Sequence, residues 1–88
     1  MNDDYLVKYI GSATTTQVKT GSGHLRAITV GTTAAGTVSI IDNTTGSTVN
    51  MGLLKASIAE GTYEFDCHFA AGLRIITGGA SKISVIYR

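Results

Sequence analysis

Apolar and polar residues alternate along much of this chain with a period of two, the spacing that puts successive side chains on opposite faces of a β-sheet. The clearest alternation lies between Gly61 and Gly72. Its apolar side consists of Tyr63, Phe65, Cys67 and Phe69, and its polar side of Thr62, Glu64, Asp66 and His68. We therefore predict a half-buried β-strand here, and we place it at the centre of a sheet.

Shorter apolar runs, separated by glycine or by Asp and Asn, predict the other strands. They lie at Leu6–Ile10, Gln17–Thr20, His24–Val30, Thr37–Ile41, Thr48–Leu54, Leu73–Thr77 and Lys82–Tyr87. In His24–Val30 the apolar positions shift by one residue, which indicates a β-bulge or a strand buried on both sides. Residues 49–60 fit a strand, a short helix or a loop. The pattern predicts an all-β fold, a small antiparallel β-sandwich or jelly-roll-like barrel of about seven to eight strands.

The first 16 residues differ in composition from the rest of the chain. A Ser/Thr-rich stretch, Gly11–Thr16, follows the first predicted strand and has few apolar side chains to pack. We therefore expect residues 1–16 to form an N-terminal strand or arm that orders against a neighbour, and residues 17–88 to form the β-sandwich domain.

Composition indicates that this domain does not act alone. A chain of 88 residues buries only about 60–65% of the surface that it exposes when unfolded. One cysteine cannot form an internal disulfide, and the two histidines do not have the spacing of a structural zinc site. Hydrophobic residues make up 43% of the chain and charged residues 15%, against about 25% charged residues in an average soluble protein. We expect part of the apolar surface to be covered by another subunit.

Charge and hydropathy bear on the partners. The net charge is +1 and the basic residues are spread singly, whereas binding to nucleic acid favours a clustered excess. No apolar run approaches the length of about 20 residues that a membrane span needs, and the start of the chain is acidic where a secretory signal would be basic. We expect no nucleic-acid or membrane partner, and a protein made and kept in the cytoplasm until it is assembled.

The polar side of the Gly61–Gly72 segment is the one candidate for chemistry. Glu64, Asp66 and His68 project from one face and are residue types that can bind zinc or manganese. A solvated strand face has the same polar character, and Arg74 and Lys82 on the following strands are the expected cross-strand partners of these acids. Cys67, between two phenylalanines, fits a small core residue. We predict no metal, no cofactor and no catalytic residue.

Apolar residues on strand faces that should be exposed to solvent indicate contacts with other proteins instead. If one face of each late strand fills the core, Ile41, Ile76 and Ile86 point outward. The first strand, with Tyr5, Val7 and Tyr9, is a candidate to dock on an exposed sheet edge. These six residues are the predicted subunit or partner contacts.

From about Val18 to Arg88 the order of features resembles small phage and prophage virion proteins of β-sandwich or jelly-roll type. The matching segments are His24–Val30 after its glycine turn, Gly36–Gly46, Thr62–Asp66 with Ala71–Leu73, and Ile83–Arg88. The resemblance implies a capsid decoration or head-fibre protein, located in the virion, commonly trimeric and bound to the major capsid protein or another virion protein. It carries over no functional residue.

Two other functions compete with a non-enzymatic virion subunit. A carbohydrate- or receptor-binding module, such as a fibre tip, is compatible with a sandwich, although the chain has no Trp and four Tyr residues to offer as a sugar platform. A metal-dependent enzyme would use Glu64, Asp66 and His68. The chain as a whole favours the structural subunit.

Overall fold

The computed structural model describes residues 5–88, which form β-strands and no helix. The strands are β1 Leu6–Ile10, β2 Thr15–Thr20, β3 Gly23–Thr32, β4 Val38–Asp42, β5 Gly52–Leu54, β6 Gly61–Phe69, β7 Gly72–Thr77 and β8 Lys82–Tyr87. They make two four-stranded antiparallel sheets: sheet A in the order β1-β8-β3-β6 and sheet B in the order β2-β7-β4-β5. The predicted all-β class is confirmed. Nothing in the described range is a helix with the length and apolarity of a membrane span.

One hydrophobic core joins the two sheets, because alternate residues of both contribute to the same cluster. Sheet A supplies Ile10, Leu25, Ile28, Val30, Phe69, Ile83 and Val85, and sheet B supplies Val38, Ile40, Leu54, Leu73 and Ile75. Each sheet therefore has one face toward this core and one outer face.

Strand β6 has the predicted alternation but not the predicted position. Its apolar positions are half-buried or buried and its polar positions are exposed, as expected. However, β6 pairs only with β3 and lies at the edge of sheet A, so the central placement was wrong. An alternating pattern indicates that one face of a strand is exposed to water, but it does not indicate how many strands pair with it.

The predicted irregularity in β3 is a β-bulge. The register shifts between Leu25 and Ala27 against both β6 and β8. The bulge lets Leu25 and Ile28, three positions apart, both reach the core. On the β6 side, Asp66 adopts a positive φ of 51°, a conformation that Asp tolerates better than most residues.

The segment 49–60 is mostly irregular. Its regular part is the short strand β5, which pairs with β4. The helix and the longer strand Thr48–Leu54 that the sequence allowed are both absent from this segment.

Residues 1–4 of the predicted arm lie outside the described residues. Strand β1 pairs along its whole length with β8 of the same chain, and Ile10 at its end is buried in the core. Beyond β1, the Thr77 hydroxyl donates a hydrogen bond to the Ser12 carbonyl (2.6 Å) and accepts one from the Thr14 amide (2.9 Å). Leu6–Ile10 is thus ordered against its own chain, while the domain division at residue 16 stays a prediction.

Asp42, at the end of β4, holds the turn between β6 and β7. Its carboxylate accepts hydrogen bonds from the amides of Ala70 (2.9 Å), Ala71 (2.8 Å) and Gly72 (3.2 Å). These bonds, led by that of Ala70, lower the pKa of Asp42. The carboxylate therefore connects sheet B to the turn by which the chain passes between the sheets.

We predict that Asp42→Ala lowers the free energy of unfolding by about 1–2 kcal/mol at neutral pH, because amide donors lose a charged acceptor. A folded pKa below the unfolded value means that this stabilisation is present above the unfolded pKa of about 3.9 and is lost as pH falls through the folded pKa. Urea unfolding at pH 7 and pH 3, with exposed Glu64→Ala as the control, checks this. An equal loss at both pH values would contradict it.

Gly36 lets the connection before β4 pack against the turn between β7 and β8. A Cβ atom at Gly36 would lie 2.2 Å from the amide nitrogen of Gly79 and 2.4 Å from the carbonyl carbon of Gly78. Both contacts are with backbone, which cannot swing aside as a side chain can.

We predict that Gly36→Ala destabilises the protein by about 1–3 kcal/mol, the usual cost of overpacking. Gly31→Ala is the matched control, since a Cβ there would lie 3.6 Å from its nearest neighbour, the Lys82 carbonyl oxygen. Thermal unfolding of both variants checks the prediction, and midpoints that are lowered equally would refute it.

Candidate functional site

The outer face of sheet A carries apolar side chains next to an edge strand. In the register of the sheet, Val7 lies opposite Ile86, which lies opposite Ala27. Val7 is 65% exposed and Tyr9, two residues along the same strand, is 58% exposed. Ile86 is half-buried beside them. We call Val7, Tyr9 and Ile86 the apolar patch.

A polar cluster borders the apolar patch at one end of the same sheet. Tyr5 contacts the His24 ring edge to face, with 6.3 Å between the ring centroids. The guanidinium carbons of Arg26 and Arg88 lie 5.8 Å and 4.9 Å from the centroid of the Tyr5 ring, distances at which a cation is attracted to an aromatic face. Tyr5 is therefore positioned by neighbours from β3 and by Arg88, the residue that follows β8.

Asp66 completes this cluster from β6. Its Oδ1 lies 3.0 Å from Nε2 of His24 and 3.6 Å from a terminal nitrogen of Arg26. The hydrogen bond from His24, followed by the positive charge of Arg26, lowers the pKa of Asp66. Because all of these groups are at least partly exposed, the cluster orders the surface more than it stabilises the fold.

The predicted grouping of Glu64, Asp66 and His68 does not form a site. Asp66 contacts β3 instead, and no group of three or more metal-binding side chains occurs in residues 5–88. Arg74 and Lys82 were predicted to be the cross-strand partners of these acids, and this prediction was wrong. Arg74 lies in sheet B, where it donates hydrogen bonds to the Gly46 carbonyl and the Gln17 side chain, and Lys82 lies opposite Thr32. The cause is topological: β6 and β7 follow one another in sequence but belong to different sheets.

Cys67 is half-buried and packs against the hydrophobic core, as predicted for a small core residue. Burial, assisted by the negative charge of Asp66, raises the pKa of its thiol. A raised pKa leaves less thiolate at neutral pH, and the thiolate is the reactive form.

Sheet B differs from sheet A on its outer face. Ile41 was predicted to be an exposed contact residue. Its side chain is only 1% exposed, so this prediction was wrong. It lies opposite Arg74, whose side chain extends along this part of the sheet between Gln17 and Gly46. A long side chain held by hydrogen bonds at both sides occupies the space that the sequence pattern left open.

The predicted contact residues therefore divide between the sheets. Tyr5, Val7, Tyr9 and Ile86 lie together on sheet A, Ile76 is half-buried on the outer face of sheet B, and Ile41 is buried. Leu53, 55% exposed on the same side of sheet B as Ile76, was not predicted. The sequence signal that could have identified it is the pair Leu53–Leu54 in the short strand β5, because adjacent residues of a strand face opposite sides of the sheet.

Comparison of the chain with protein-family models, with curated proteins and with solved structures finds no match.

We predict that the Asp66 carboxyl titrates below its usual pKa and that His24→Ala raises this pKa more than Arg26→Ala does. The reason is that the His24 hydrogen bond is the larger of the two influences. Carboxyl-carbon NMR titration of the three proteins measures it directly. An unchanged Asp66 pKa in His24→Ala would show that the contact is not formed in solution.

Proposed function

We propose that this chain is a non-enzymatic structural subunit of a phage virion, which self-associates and attaches to a capsid or other virion shell. The single observation that carries the proposal is the apolar patch on the outer face of sheet A, where Val7 is 65% and Tyr9 58% exposed. The order of features along the sequence, which resembles small virion proteins, supports the virion as the setting. In this proposal the two sheets form a β-sandwich of jelly-roll type.

The patch favours a protein partner for a physical reason. A sheet face that meets only water gains nothing from branched and aromatic side chains, and each such residue costs solubility. Here Val7 and Ile86 are direct cross-strand neighbours, so their apolar surfaces are contiguous rather than scattered. Covering them with a second protein removes that surface from water.

The resemblance favours a trimer as the assembled form, with the major capsid protein or another virion protein as the shell partner. The polar cluster around Tyr5 supplies charged groups at the rim of the patch. A contact with an apolar centre and a charged rim is the usual anatomy of a specific protein interface.

A carbohydrate- or receptor-binding module is the second candidate, and one observation favours it. Tyr9 presents an exposed aromatic ring on a rigid sheet, as sugar-binding surfaces do. A glycan array probed with the labelled protein tests this function. Specific binding that Tyr9→Ala abolishes supports it, and the absence of any bound glycan counts against it.

For the structural subunit, we predict a mass above that of a monomer in solution, and a dissociation constant raised at least about tenfold by Val7→Glu, which puts a charge into an apolar contact. Leu53→Glu is the matched control, because Leu53 is similarly exposed but lies on sheet B. Sedimentation equilibrium of the three proteins over a range of concentrations provides the measurement.

Two results would contradict the proposal. A wild-type protein that stays monomeric at about 100 μM has no self-association to explain. Equal weakening by Val7→Glu and Leu53→Glu would mean that the patch on sheet A is not the contact.

A further inference from the structure

The four edge strands of the two sheets are not equally protected against pairing with another chain. Strand β5 has three residues, and β2 changes register between Gln17 and Lys19. Strand β6 has a bulge at its middle, where Asp66 takes a positive φ, and carries exposed Glu64 and Asp66. Short length, irregular register and charge are the usual devices that prevent edge-to-edge association.

Strand β1 has none of these devices except a single charge. It pairs with β8 over five consecutive positions, from Leu6 to Ile10, without a register shift. Lys8 is its one charged residue, and Leu6, Val7 and Tyr9 are all more than half exposed. The backbone groups on the side of β1 away from β8 have no strand partner in sheet A. Such an edge is a template for one further strand.

We propose that β1 pairs in antiparallel fashion with β1 of a second copy of this chain, about a two-fold axis perpendicular to sheet A. This inference rests on the proposed function, because it specifies how the self-association occurs. Sheet A then continues across the contact as a single eight-stranded sheet, made of the four strands of each copy.

Side-chain alternation restricts the register of this pairing. In a continuous sheet, residues opposite each other lie on the same face, so Val7 on the outer face must oppose an outer-face residue of the second copy. With Val7 on the two-fold axis, Val7 faces Val7 of the second copy and Tyr5 faces Tyr9 of the second copy. The outer face then carries only apolar and aromatic pairs along β1, which are the favourable cross-strand pairs.

The register shifted by one residue pair is disfavoured. Placing Lys8 on the axis would set two Lys8 ammonium groups directly opposite each other, and like charges in that position are destabilising. In the Val7-centred register, Lys8 faces Leu6 of the second copy. The charge of Lys8 therefore selects the Val7-centred register.

This arrangement also joins the apolar patches of the two copies. Val7 of one copy lies beside Val7 of the other, so the two patches merge into one larger patch on the outer face of the continuous sheet, which remains available to the proposed shell partner. A two-fold contact closes at two subunits. The trimer implied by the resemblance would therefore need a second, separate surface.

Cysteine cross-linking tests the pairing and its register. In an antiparallel sheet, opposite Cα atoms lie about 4.5–5.5 Å apart, within the range of about 4.4–6.8 Å that a disulfide bridges. Single cysteines at Val7, Lys8 and Leu53 are introduced separately into a Cys67→Ala background. Each protein is oxidised with copper phenanthroline and run on a non-reducing gel, after its circular dichroism spectrum and unfolding midpoint have been shown to match the background.

We expect Val7→Cys to form a covalent dimer at least about ten times faster than Leu53→Cys and Lys8→Cys, with no dimer in the background protein. Should neither Val7→Cys nor Lys8→Cys form dimer faster than Leu53→Cys while the wild-type protein self-associates by sedimentation, the edge pairing is overturned and the proposed function stands. Fastest cross-linking at Lys8→Cys overturns the register. A wild-type monomer with no cross-linking overturns both the pairing and the proposed self-association.

Discussion

The packing of two sheets against one core is the interaction on which the whole structure depends. Every strand of residues 5–88 except β2 contributes a buried apolar side chain to this cluster, and β2 contributes the half-buried Val18. Each fully buried Val, Leu, Ile or Phe side chain stabilises the fold by about 1.5–3 kcal/mol, and a chain with one cysteine has no internal disulfide to add to this. Either sheet alone would expose its core face to water.

The core also decides what the outer faces can be used for. A small domain has few residues to spare, and those on the inner faces of both sheets are committed to packing. On sheet B, Arg74 and its hydrogen bonds to Gln17 and Gly46 cover part of the outer face, including Ile41. On sheet A the exposed side chains of Val7 and Tyr9 have no such cover. The two sheets share one core but offer different surfaces.

The sequence predicted local features better than their arrangement. Alternation in Gly61–Phe69 identified which side chains of β6 face the core, because period-two burial depends only on one dry and one wet face. It could not place β6 at the edge of the sheet, because neighbours across a sheet are set by chain topology. The same limit explains why Arg74 was paired with the acids of β6: consecutive strands were assumed to lie side by side, whereas β6 and β7 belong to different sheets.

The apolar patch and the polar cluster were also predicted only in part. Val7 and Tyr9 lie on the same face of β1, and the sequence predicted this because residues two apart on one strand share a face. Ile86 joins them only because β8 pairs with β1, a long-range contact that no local pattern contains. The cluster of His24, Arg26 and Asp66 depends on a bulge at a position with positive φ, which the one-residue shift in His24–Val30 signalled only in part.

Amide hydrogen exchange, followed residue by residue by NMR at about 20 μM and 1 mM protein, tests most directly whether sheet A assembles through its β1 edge. If β1 is the contact, the β1 amides that point away from β8 become more protected against exchange at the higher concentration. Protection of the amides on the exposed edges of β2, β5 and β6 stays the same. Unchanged exchange throughout β1, in a sample whose scattered light shows a larger species at the higher concentration, would contradict the account.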